Sequence, residues 1–274
     1  MKGLNHSLAL NKSLDQRARE RFTSSMRAWV LTDLASQMQV DYENSSAEAG
    51  QNHDSGEAVH QYVKNRDMFK WYSSLRCATQ ELVWQSVLSA IASDPESIEQ
   101  ISEQSEATHG GSLMLDATIE LPDYTDSMDV HLMPGNYQGT EGSGAEAGAV
   151  YDNGLEVFSF GVMGENLDDI GHSMANYTRL KWPQLRPQLI VDVGCTIGHN
   201  TLPWKQTFPD ADVHGLDVAP SCLQYGHARA EAFAVPIHFR QASCEALPYE
   251  DGSVDVVFSS MFLHELPTHL IKAF

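Results

Sequence analysis

Between Cys77 and Thr178 the chain contains no lysine and no arginine, while 18 aspartates and glutamates fall in the same stretch. A face built from such a segment repels phosphate, and nucleic-acid affinity comes largely from Lys and Arg neutralising phosphates. DNA, RNA and anionic membrane surfaces are therefore not expected as partners. No apolar run approaches the roughly 20 residues that cross a bilayer. The first 22 residues lack an apolar core of signal-peptide length, which predicts a cytoplasmic protein. The four cysteines (Cys77, Cys195, Cys222 and Cys244) form no CxxC pair and are expected as free thiols. The twelve histidines show neither HxH nor HExxH spacing, so no metal site is expected.

What is present suits a packed protein. Of 274 residues, 42% are hydrophobic, enough for a core, and the net charge of −20 implies an acidic, solvated surface. The alternative use of that charge is a preference for cationic or neutral ligands. Residues 1–105 read as a mainly helical region. Helical spacing covers Arg17–Gln39, Glu57–Ser73 and Thr79–Ala92, with a polar loop at Asp41–Ser55 and a stop at Asp94-Pro95. Residues 106–164 read as a connecting region. It holds His109-Gly110-Gly111, a short apolar segment Ser112–Leu121 and a Gly-rich loop Gly135–Gly148 expected to be mobile.

Residues 165–274 are regular. Residues 165–182 have helical character. Leu189–Val193 (LIVDV) is a continuous apolar run broken by one acid, the pattern of a strand buried on both faces. Further strands are expected at Val213–Val218, Pro236–Arg240 and Val254–Met261. Helices are expected at Asn200–Phe208, at Ser221–Phe233 and from about Pro267. This alternation predicts an α/β fold, a doubly wound Rossmann-like parallel sheet preceded by the helical region. In such sheets ligands bind beyond the carboxyl ends of the strands. The first such loop is Asp192-Val-Gly194-Cys195-Thr196-Ile-Gly198. Gly194 permits a tight turn, and Gly198 is placed to open a helix whose free N–H groups face an anionic group. Asp217 ends the second strand, where a carboxylate suits ribose hydroxyls. A dinucleotide site wants G-x-G-x-x-G, but from Gly194 onward Thr196 and His199 hold the second and third glycine positions.

The pattern D-x-G-x-x-x-G resembles instead motif I of class I S-adenosylmethionine-dependent methyltransferases, with Thr196 in place of the middle glycine. Three later segments strengthen the resemblance over about 85 residues. Val213-His-Gly-Leu-Asp217-Val218 is similar to the ribose-binding motif. Arg240-Gln-Ala-Ser243-Cys244-Glu245-Ala-Leu-Pro248 is similar to the adenine-binding segment, with Ser243 where an aspartate is common. Tyr249 to Ser259 and Ser259 to Pro267 match the fourth strand and its flank. The resemblance implies S-adenosyl-L-methionine as cofactor, held by Asp192, Gly194, Cys195, Thr196, Gly198, Asp217, Val218, Ser243, Cys244, Glu245 and Ser259. It implies methyl transfer to a small-molecule acceptor, with His264 a candidate general base and Asp255 a loop fastener. Tyr137 and Tyr151 are candidates to close over the cofactor. The family's sheet order is 3-2-1-4-5-7-6, and strands 3-2-1-4 are expected here with 5-7-6 missing. That leaves Val254–Met261 as an exposed edge and suggests impaired turnover. Homo-oligomer contacts through the N-terminal region or that edge are a further expectation. The alternative functions are a non-catalytic cofactor-binding or assembly protein and, more remotely, an NAD(P)-dependent oxidoreductase.

Overall fold

The computed structural model describes Leu4 and residues 6–103, 108–127, 130–139 and 144–272. The chain opens on α1 (Leu14–Trp29), fixed at its start by a capping box. The Ser13 hydroxyl accepts from the Gln16 amide at 3.2 Å, and the Gln16 side chain accepts from the Ser13 amide at 2.7 Å. One π-helical turn, Val30–Leu34, joins it to α2 (Ala35–Glu48). The expected loop at Asp41–Ser55 is therefore helical as far as Glu48. Its polar residues are held by tertiary contacts: Arg66 grips Asp41 through two hydrogen bonds of 2.9 and 3.1 Å, and the Tyr42, His53 and Tyr62 rings pack together. After α3 (Gly56–Val63), α4 runs unbroken from Asp67 to Ile91, so the break expected near residues 73–79 lies instead at 63–67. Asp94 accepts hydrogen bonds from the Ser97 amide and hydroxyl and starts α5 (Pro95–Glu103), with Pro95 in the first turn.

The sheet has five parallel strands in the order β1-β4-β3-β2-β5. They are β1 (Ser112–Met114), β2 (Leu189–Val193), β3 (Asp212–Asp217), β4 (His238–Gln241) and β5 (Val256–Phe258). The last four stand in the expected order. β1 was not expected: the apolar segment before Leu121 adds an edge strand, with Ser112 opposite His238 and Met114 opposite Arg240. The last strand is shorter than Val254–Met261; a 3-10 turn, Leu263–Glu265, follows it, and residues 268–272 form turns where a helix from about Pro267 was expected. The outer side of β5 carries no strand among the described residues, and Val257 is 58% exposed.

A short helix, α6 (Tyr124–Ser127), is followed by α7 (Glu146–Phe158), which is the second departure. The Gly-rich stretch read as a mobile loop ends inside a buried helix; its residues 140–143 lie outside the described residues. The small residues of α7 are there for space. A Cβ on Gly148 would lie 2.2 Å from Tyr225 Cβ, and one on Gly154 2.4 Å from the Trp84 ring. The helix is thus clamped between α4 and α10 (Pro220–Ala232). One apolar core runs through all three, from Val83, Trp84 and Val87 to Ile197, Cys222 and Ala228. Asp152 of α7 is buried in the same layer, accepting from the Tyr225 hydroxyl at 2.7 Å and pairing with His6 at 2.9 Å. The helical region therefore shares a core with α10 and the loop after β2, across the boundaries expected at residues 105 and 164. The remaining helices, α8 (Asp169–Lys181) and α9 (Leu202–Thr207), pack against each other, with α9 against β3.

Candidate functional site

The carboxyl ends of β2 and β3 are tied together by their own backbone. The amides of Gly194 and Cys195 both donate to the Leu216 carbonyl, at 2.8 and 3.0 Å. The loop then rises through Gly194 at φ +76° and Thr196 at φ +52°. The first is a glycine conformation. The second is an outlier for a β-branched residue, so Thr196 keeps a glycine-like backbone at the cost of strain. Asp217 holds the loop in that shape. Its Oδ2 accepts from the Thr196 amide at 2.8 Å and its Oδ1 from the Ala219 amide at 3.0 Å. Burial raises the Asp217 pKa, partly offset by these amides. A carboxylate has about four acceptor sites, and the backbone leaves capacity on Asp217 for a ligand.

Asp192, one turn below, is buried and accepts from the Thr201 hydroxyl at 2.6 Å. Burial, offset by that hydroxyl and reinforced by the Asp217 charge, pushes its pKa up to about 7. His199 faces the same space, buried, with Nδ1 lacking a hydrogen-bond partner, and burial takes its pKa down to about 3.

These residues line a cavity of about 490 Å³, within the range that holds cofactors and drug-sized ligands. Its floor is Asp192, Gly194, Cys195, Thr196, Asp217, Val218, Ala242 and Cys244. Its roof comes from the region before β2: Arg27, Trp84, Tyr137, Tyr151 and Phe158. The Tyr137 and Tyr151 rings lie 5.8 Å apart, and Tyr151 lies 5.7 Å from the His199 ring. The two tyrosines thus stand over the motif loop. Arg27 is the one Lys or Arg on this wall among the described residues. It is 5% exposed, its guanidinium lies 3.9 Å from the Phe158 ring centre, and its Nη1 lacks a hydrogen-bond partner. Burial takes its pKa down to about 10.

Not every expected residue reaches the cavity. Gly198 lies behind the loop at φ +69°, where a Cβ would strike the Phe239 ring at 2.6 Å; it serves packing. The helix after it starts only at Leu202, so Gly198 opens a turn, with its amide on the Cys195 carbonyl. Ser243 accepts from the Glu245 amide and shapes a turn, while Ala242 and Cys244 face the cavity; neither Ser243 nor Glu245 lines it. The Ser259 hydroxyl donates to the Val193 carbonyl at 2.9 Å and fastens β5 to β2, with Ser260 on the wall instead. Asp255 accepts from the Gln188 and Leu189 amides, as a loop fastener should. The four cysteines are free.

His264 does line the cavity, but in company that local spacing could not reveal. Its Nε2 lies 2.9 Å from His131 Nε2 and 3.2 Å from Glu265 Oε1, and His131 Nε2 lies 2.8 Å from the same oxygen. Burial pushes the Glu265 pKa up, but the two histidines and the Tyr137 hydroxyl outweigh it and leave the carboxyl below its usual range. His131, Glu265, Arg27 and Phe262 are the site residues that sequence reasoning missed. Phe262 lies over Gly194, where a Cβ would come 2.3 Å from its ring.

A known methyltransferase domain model matches residues 190–274, the span that carries β2 to the end of the chain. Among curated proteins, a malonyl-[acyl-carrier protein] O-methyltransferase of Hahella chejuensis is 34% identical over 102 residues, 36% of this chain and 33% of the relative. A demethylmenaquinone methyltransferase of Thermus thermophilus is 37% identical over 71 residues, 26% of this chain and 32% of the relative. A trans-aconitate 2-methyltransferase of Methylobacterium radiotolerans is 32% identical over 88 residues, 32% of each. The chain thus spans about a third of the length of these relatives. The match falls on the parallel strands and motif loops that floor the cavity, and residues 190–274 are similar to a methyltransferase domain.

Proposed function

We propose that the chain binds S-adenosyl-L-methionine in this cavity and transfers its methyl group to a small-molecule acceptor. The observation that carries the reading is the Asp217 carboxylate, half-buried, held by two backbone amides and still open to the cavity at a strand end. When bound, the cofactor supplies an activated methyl group, and the protein's part is binding and alignment. Asp217 would accept from the ribose hydroxyls. Val218, Ala242 and Cys244 would flank the adenine, and Tyr137 and Tyr151 would close the roof and exclude water. Nothing in the loop offers the glycines that a pyrophosphate needs.

The acceptor would enter from the side of Arg27, Phe158 and His131, contributed by the region before residue 190. The relatives named above differ in their acceptors, and the matches cover only 36%, 26% and 32% of this chain, so their substrates are not carried over. Arg27 gives the wall a buried cation without a carboxylate partner among the described residues. An acceptor bearing an anionic group would supply the missing charge, against a simple preference for cations drawn from the acidic composition.

A thermal-shift panel tests the reading. S-adenosylmethionine and S-adenosylhomocysteine should stabilise the protein by mass action, and NAD(P) should not. A larger shift with NAD(P) would overturn it.

A further inference from the structure

We propose that His131, His264 and Glu265 form a binding site for a divalent transition-metal ion of the zinc class on the wall of the methyl-transfer cavity. The three ligand-type atoms make a triangle with edges of 2.8, 2.9 and 3.2 Å. A tetrahedral zinc with bonds of about 2.0–2.1 Å holds its ligand atoms about 3.3 Å apart. The triangle therefore needs to open by only a few tenths of an ångström.

The arrangement is crowded as a pure hydrogen-bond cluster. Two imidazole Nε2 atoms face each other and the same carboxylate oxygen, and that oxygen also accepts from the Tyr137 hydroxyl at 3.1 Å. A neutral imidazole carries one N–H, so at most one proton bridges the two rings when both are neutral. A cation at the centre uses every lone pair at once. Two imidazoles with one carboxylate suit zinc and ferrous iron, whereas magnesium and calcium take oxygen ligands.

The surroundings orient the ligands. Tyr137 fixes the Glu265 carboxylate from behind, the role of an outer-shell partner. The His131 ring stands edge-on to Phe158 with centroids 5.4 Å apart, and its carbonyl accepts from the Trp84 indole at 2.7 Å. The loop that presents His131 has positive φ at Leu132, Asn136 and Tyr137, strain of a kind that gathers at functional sites. All three ligands line the same cavity as Asp217 and Thr196. If the methyl-transfer reading holds, an acceptor oxygen or sulfur becomes a further ligand of the ion, which lowers its proton affinity.

The test uses the full chain, stripped with a chelator and titrated with zinc chloride against a chromophoric zinc indicator, with S-adenosylhomocysteine affinity measured on the same samples. One zinc per chain is expected. His131→Ala and Glu265→Gln should weaken it by about 100-fold or more, and Tyr137→Phe by about tenfold. His238→Ala, beside His214 on the sheet at 5.3 Å between rings, should leave it unchanged. His264→Ala, whose side chain is 42% exposed, serves if His131→Ala does not fold. Retained S-adenosylhomocysteine binding in a zinc-deficient variant shows an intact fold and a lost metal site. Zinc binding without S-adenosylhomocysteine binding in the wild type would uphold the metal site and sink the methyl-transfer reading instead. Absence of zinc binding in the wild type, or equal zinc affinity in wild type, His264→Ala and Glu265→Gln, would overturn the proposal.

Discussion

Replacing Asp217 separates two duties that its geometry combines. In the folded chain its two oxygens each accept one backbone amide, from Thr196 at 2.8 Å and from Ala219 at 3.0 Å. Asp217→Ala strands both amides in a part-buried place, at about 1–3 kcal/mol each, so a loss of about 2–6 kcal/mol in stability is expected. The same substitution removes the acceptor offered to the ribose. A hydrogen bond to a charged group contributes about 1.5–3 kcal/mol, or roughly 10- to 150-fold in affinity for each bond lost. Asp217→Asn keeps one carbonyl acceptor and turns an NH2 group toward the other amide, so it should fall between wild type and alanine on both scales. Urea unfolding reads the first effect. Calorimetry with S-adenosylhomocysteine reads the second, at a temperature where the alanine variant is still folded. Unchanged affinity beside the expected loss of stability would refute the ribose role and leave Asp217 as a tie between two loops.

Two buried groups should give stability slopes of opposite sign with pH. Asp192, pushed up to about 7, holds a proton in the folded state that the unfolded chain releases near pH 4. Its contribution is full below about pH 4 and drains as pH rises to about 7. His199, pushed down to about 3, stays neutral where the unfolded histidine is charged; its penalty disappears as pH rises from about 3 to 6.5. Relative to wild type, stability of Asp192→Asn should therefore rise more steeply between pH 4 and 6.5, and that of His199→Gln should fall, each by a few kcal/mol at most; parallel curves for all three proteins in urea unfolding would contradict both. Thr196→Gly relieves left-handed strain of about 1–2 kcal/mol but loses the hydroxyl contact to Tyr151 and adds unfolded-state entropy. Calorimetric scanning should show stability unchanged or raised by up to about 1 kcal/mol, and a larger drop would mean that the Tyr151 contact outweighs the strain.

What could be read from the sequence follows what is local. β2 is a central parallel strand covered on both faces, and burial of that kind writes a run such as Leu189–Val193 that needs no partner to be recognised. The motif loop was legible because its turn chemistry is carried by adjacent residues. β1 was not: three residues at a sheet edge, two of them exposed, carry no pattern. α7 was hidden because glycine and alanine, which read as a loop, are the residues that fit against Tyr225 and Trp84. The polar end of α2 depends on Arg66, 25 residues away. His131 is the extreme case, 133 residues from His264, with only the fold to bring the two rings together.

The edge strand also orders events in time. Ser112 meets His238 across 126 residues of chain, and the Thr108 and His109 amides are received by Glu231 from nearly as far. Neither contact can form until α10 and β4 have been made, and closing so long a loop is slow. During synthesis the early helices emerge first, with Val83, Trp84 and Val87 bare, and wait for Tyr225 and Ala228 to cover them. The roof of the cavity, closed only by these long-range contacts, is therefore expected to be complete after its floor. Amides of β2 and β3 should accordingly exchange with solvent more slowly than those of β1, and the roof should be the first part of the cavity to loosen.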